Sequence, residues 1–142
     1  MTAKNHTTIA TGTGLIGGLV MVASAIEQGG SSFRFLGGVD QPMLVSAAFG
    51  AFCAGWLTSG LFGRGGVAGG ALAAVGAVLA TGIGAGLGAA VCLAYQCSWQ
   101  SPVAGLALGP FYVADLILGS PQVFATWAGC FALLHHDARQ MS

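Results

Sequence analysis

The sequence predicts an all-α integral membrane bundle of about four transmembrane helices, and two observations carry that prediction. Charged residues make up 6% of the 142 positions, where a soluble domain carries roughly 25%. The 25 glycines sit mainly inside the apolar segments. In water each would cost about 1 kcal/mol relative to alanine in a helix interior. In lipid the same residues let helix backbones approach closely.

The first helix is expected over 8–26, an uncharged stretch that ends at Glu27. About 20 mostly apolar residues suffice to cross a bilayer. Lys4, the apolar run after it and Ala23-Ser24-Ala25 imitate a secretory leader. The basic end is a single lysine set far from that run, so the segment is read as a mature helix. Residues 27–41 form the longest polar stretch. Pro42 opens the second helix, 42–62, because proline suits the first helical turn. Gly63-Arg64-Gly65-Gly66 reads as a tight turn. The third helix, 67–95, carries no charge and exceeds a perpendicular crossing, so tilt or overhang is expected.

A break at 96–101 precedes the ambiguous part of the chain. Residues 102–134 are apolar except for Asp115 and are interrupted by Pro110 and Pro121. The stretch is too long for one straight crossing and too short for two comfortable ones. The preferred division is an interfacial or re-entrant piece over 102–112, then a span over 113–134 kinked near Pro121. The alternative is a span over 103–118 followed by a short re-entrant arm. Residues 1–142 are read as a single polytopic transmembrane domain.

With four crossings and a cytoplasmic N-terminus, Lys4, Arg64 and Arg139 lie inside and Arg34 outside, which satisfies the positive-inside rule. The expected location is an inner or cytoplasmic membrane with both termini in the cytoplasm. Phe33, Phe35, Tyr95 and Trp99 would share the outer interface, where aromatic rings are enriched. Zero net charge and scattered basic residues leave no footprint for nucleic acid.

Residues four apart share a helix face. On the third helix Gly76, Ala80, Gly84 and Gly88 form one small-residue row, and Gly82, Gly86 and Ala90 lie on an adjacent one. Such rows pack helices of one chain together or form a contact between copies around a symmetry axis. Two small faces exceed the need of one neighbour, which makes this helix the candidate seam of a homo-oligomer. The run Gly82-Ile83-Gly84-Ala85-Gly86-Leu87-Gly88 resembles the glycine-rich helix of the rotor subunit c of ATP synthases. That family follows its glycine helix with a polar loop and a helix bearing a proton-carrying carboxylate, the order in which Asp115 follows here. The resemblance covers about a third of the chain. It departs at Gln100-Ser101-Pro102, which lacks the family's loop arginine, at the prolines, and in the two preceding spans, so no assignment rests on it.

Asp115 is the one acid inside an apolar segment and the candidate polar or proton site. A carboxylate in hydrocarbon costs several kcal/mol, and such residues usually face a bundle interior or water. A solvated place at the outer interface near Tyr112 is the plainer expectation. Cys92 and Cys97 do not have zinc-site spacing, but both fall near the outer face, where a disulfide between them is possible. Cys53 and Cys130 read as packing residues. His135, His136 and Asp137 read as polar residues ending the last span; adjacent imidazoles point about 100° apart and do not chelate together. No cofactor, metal site or catalytic constellation is expected, and the chain is read as a non-enzyme.

Two functions fit these residues. One is a channel or transporter-type subunit assembling through glycine-rich helices, its polar path lined by Thr58, Ser59, Thr81 and Asp115. The other is a non-catalytic accessory subunit of a larger membrane complex. The expected partners are the lipid bilayer and either further copies or that complex.

Overall fold

The computed structural model describes residues 3–27, 41–95 and 101–141. Five helices follow in order: α1 (Ala3–Glu27), α2 (Gln41–Thr58), α3 (Gly66–Tyr95), α4 (Ser101–Gly119) and α5 (Pro121–Gln140), with a 3-10 turn over Ser59–Leu61 at the end of α2. Four contain windows long and apolar enough to cross a membrane: His6–Ala23, Leu44–Leu61, Gly66–Ala94 and Pro102–Gly119. By these helices the chain is an integral membrane protein and an all-α bundle. The 30 residues of α3 extend about 45 Å at 1.5 Å each, well beyond a hydrocarbon core of about 30 Å.

The glycine turn between α2 and α3 forms as expected, and two of its members require glycine. Gly63 and Gly66 hold φ of +80° and +76°, a left-handed conformation that a Cβ makes costly. Consecutive helices then pack in chain order, α1 on α2, α2 on α3 and α3 on α4. The first and last of these hardly touch each other. The four crossings therefore form an open row, and α5 fills part of the gap between α1 and α4.

The last third of the chain departs from the preferred expectation. Residues 102–112 are the first part of a full-length helix, α4, and 113–134 is divided between two helices. Pro110 lies within α4 without ending it. A proline inside a helix frees the carbonyl four residues back, and a packed neighbour makes that tolerable in a membrane. Here the carbonyl is that of Leu106. It lies 3.1 Å from where a Cβ on Gly86 would sit, so bare backbone of α3 covers it. The chain breaks instead at Ser120, which is extended (φ −129°, ψ 116°). Its hydroxyl accepts from Val123 N–H at 3.2 Å, and Pro121 follows in the first turn, a strong helix start.

α5 does not cross. Gly105 packs on Ala89 and Ala90, and Gly109 on Ala85, so α4 runs antiparallel to α3 and ends toward the α2–α3 turn. The far end of α5 reaches that turn too. A Cβ on Gly63 would stand 2.9 Å from the Ala138 carbonyl, and Gly63 N–H donates to His135 Nδ1 at 3.3 Å. The helix therefore begins and ends toward one end of the bundle. Its buried residues, Val123, Phe131, Leu134 and Ala138, lie along one face. They close a core at that end with Ile9 and Phe62, where the rings of Phe62 and Phe131 stack at 6.1 Å.

Candidate functional site

The small residues of α3 are used on two sides by the chain itself. Gly84 and Gly88 receive α2: a Cβ on Gly84 would lie 2.9 Å from Ala51 Cα, and one on Gly88 would lie 2.9 Å from the Ser46 carbonyl. Gly86 receives α4, and Gly76 receives Leu61 and Phe62. Ala80 is fully buried. Gly82 has nothing within 4 Å of its would-be Cβ. Two small faces serve two neighbours, α2 and α4, within one chain.

This close approach of backbones leaves space elsewhere. Between α1 and α4 lies a cavity of about 320 Å³ that all five helices line. Its floor is the small-residue seam of α2 and α3, including Ala47, Ala51, Gly84 and Gly88. One end is closed by Ile117, Trp127 and Phe131; the other reaches Met21, Cys92 and Leu93. Trp127 is held at the closed end from two sides. Its Nε1–H donates to Thr81 Oγ1 at 2.8 Å, and its ring meets Phe131 edge-on at 5.6 Å.

No Asp, Glu, Lys, Arg or His lines this space. Two of its three hydroxyls donate back into their own helices, and the third belongs to Tyr112. Thr13 donates to the Ile9 carbonyl and Thr81 to the Ala77 carbonyl, both at 2.8 Å. Outside the cavity, Thr58 donates to the Ala54 carbonyl at 2.9 Å and Ser59 to the Trp56 carbonyl at 2.8 Å. Each of these hydroxyls thus donates its hydrogen to a carbonyl three or four residues back in the chain. Carbon-lined cavities stay dry. In a bilayer, hydrocarbon is the filling at hand.

Asp115 is exposed on the outer face of α4, beside Phe111 and Leu118 one turn away, themselves 75% and 78% exposed. It is apart from the cavity. It also stands four residues from the end of α4 nearer the α2–α3 turn, opposite to the outer end expected for it, because α4 and not 113–134 forms the fourth apolar crossing. Cys92 lines the cavity; Cys97, its expected disulfide partner, lies outside the described residues, as do Phe33, Arg34, Phe35 and Trp99.

The histidines do different work at the turn end. Ser59 spends its one hydrogen on the Trp56 carbonyl, so its oxygen accepts from the Nδ1–H of His6. His135 does the reverse: its Nδ1 accepts from Gly63 N–H, so that nitrogen carries no proton. His136 and Asp137 approach only to 3.8 Å on the exposed side. Among the described residues no three His, Cys, Asp or Glu are placed to hold a metal ion.

Sequence reasoning missed Trp127, Phe131 and Tyr112 as cavity residues. The available signal was Gly119-Ser120-Pro121, a helix stop and start in three residues, which turns α5 back into the gap. No protein-family model matches the chain, and no match was found among curated proteins or solved structures.

Proposed function

We propose that this membrane protein is a non-catalytic carrier or binding subunit for an apolar molecule, with the cavity between α1 and α4 as its site. This is the transport-type reading narrowed to hydrophobic cargo. The cavity supports it: about 320 Å³ lined by carbon from five helices, beside a gap that the packing of α1 and α4 leaves open. An ion path would need charged or several polar groups facing the space; no charged side chain lines it, Tyr112 brings one hydroxyl, and the threonines donate into their own helices. The end bearing Arg64 and Arg139 is assigned to the cytoplasm by the positive-inside rule.

Native mass spectrometry of the protein released from nanodiscs tests this. Extra mass from a retained apolar molecule is expected, and Val113→Phe, which fills the cavity from α4, should remove it. Retention unchanged by Val113→Phe would move the binding elsewhere. A chain found only in complex with larger foreign subunits, and carrying no ligand, would replace the proposal with the accessory-subunit reading.

A further inference from the structure

We propose that the cargo is one linear hydrocarbon chain with a polar head, held tail-inward with its end against Trp127 and its head at the Cys92 end. This rests on the reading of the cavity as a binding site and adds the ligand's shape and orientation.

Length is the first reason. Along α3 the lining runs from Ala80 to Leu93, thirteen residue steps or about 20 Å. A space of that length along one helix is an elongated trough, which suits an extended chain. The floor is formed where α2 and α3 meet closely, because Gly84 and Gly88 put no side chain between them.

Closure sets the direction. Trp127 is pinned by its bond to Thr81 and Phe131 backs it, so a tail entering the trough ends there. At the other end the lining stops at Met21 and Leu93, beside Ala23 and Ala94, where the membrane-spanning windows of α1 and α3 finish. The apolar stretches of α1 and α3 end at that level, where a polar head stays hydrated. With no charged side chain along the trough, a head drawn inside would be desolvated without a partner.

Two sources share this chemistry, a free single-chain amphiphile and one tail of a bilayer lipid, and one experiment separates them. The full chain with Trp56→Phe and Trp99→Phe keeps Trp127 as its only tryptophan. In nanodiscs it is titrated with stearate bearing a nitroxide near the chain end or near the carboxyl, and with phosphatidylcholine labelled at the same positions. The expected result is saturable loss of Trp127 emission with the chain-end label and little loss with the label near the carboxyl. Val113→Phe should weaken that binding about tenfold or more. Saturation by stearate alone names the free amphiphile, and saturation by the phospholipid names a lipid tail; either upholds the chain. Stronger quenching by the label near the carboxyl overturns the orientation. Unsaturable quenching that Val113→Phe leaves unchanged is bulk bilayer and overturns the site. If stearate fails while a compact apolar probe such as pyrene still binds and is displaced by Val113→Phe, the cavity reading stands and the chain inference falls.

A second readout does not depend on tryptophan replacement. With Cys53→Ser, Cys97→Ser and Cys130→Ser, Cys92 is the only thiol, and bound stearate should slow its alkylation by N-ethylmaleimide. An alkylation rate indifferent to stearate would overturn the placement of the head at Cys92.

Discussion

Gly84→Ala isolates the seam on which the bundle depends. The added Cβ would stand 2.9 Å from Ala51 Cα and 3.2 Å from its nitrogen, where carbon atoms pack best at about 3.5–4.0 Å. Backbone cannot swing aside as a side chain can, so α2 and α3 must separate by roughly 0.5 Å or more. The neighbouring contact of Gly50 with Gly84 and Gly88 opens with them. Overpacking of this kind costs about 1–3 kcal/mol. At about 4 °C per kcal/mol, the midpoint of thermal unfolding should fall by about 4–12 °C. Gly82→Ala, with nothing within 4 Å, is the control and should hold the midpoint or raise it by up to about 4 °C, since alanine is the better helix former. The assay is thermal unfolding in nanodiscs, followed by fluorescence, with particle mass measured in parallel. A Gly84→Ala protein as stable as the parent but reduced in copy number would refute the reasoning, because the row would then join copies and not helices of one chain. An equal loss in Gly82→Ala would refute it differently, by showing that glycine itself and not close contact matters.

Three further outcomes follow from the placement of α5. Trp127→Phe keeps a ring against Phe131 but removes the donor to Thr81; it should cost about 1 kcal/mol and speed amide exchange in the first turns of α5, and unchanged exchange would deny the bond its anchoring role. Ser120→Ala removes the acceptor for Val123 N–H and should cost about 1 kcal/mol, whereas Ser120→Asp should retain the cap; equal unfolding midpoints for the two variants would count against it. In a cysteine-free background, Arg64→Cys and Arg139→Cys should react with an impermeant maleimide from the same side of the membrane, since α5 returns to the α2–α3 turn. Labelling from opposite sides would mean that α5 crosses.

Much of the architecture was legible in the residues themselves. Low charge and long apolar runs identify a membrane bundle, because hydrocarbon tolerates neither charge nor unpaired backbone. Glu27, Pro42 and the glycine turn at 63–66 mark where α1 ends, where α2 begins and where α2 gives way to α3, since these are local effects of charge, ring geometry and left-handed backbone; the start of α1, expected at 8, lies at Ala3. Gly119-Ser120-Pro121 was equally local, yet the preferred division falls between Tyr112 and Val113, just past Pro110, and gives Pro121 only a kink. What separates the two prolines is nonlocal: Gly86 of α3 covers the carbonyl that Pro110 frees, whereas Ser120 caps a new helix from within its own turn.

The assignment of faces was beyond local reading. Glycine rows state that something packs closely, but not whether the neighbour belongs to the same chain. Only the tertiary structure gives α3 two partners, α2 and α4, and so occupies Gly84 and Gly86 on different sides. Asp115 is conspicuous in the sequence, yet it lies on the outer face of α4 while the cavity is lined by apolar and small residues. Composition determined the solvent of this protein, because solvent acts on every residue independently. The trough between α1 and α4, and Trp127 at its closed end, were decided by tertiary packing, because a cavity is a property of the helices that fail to meet.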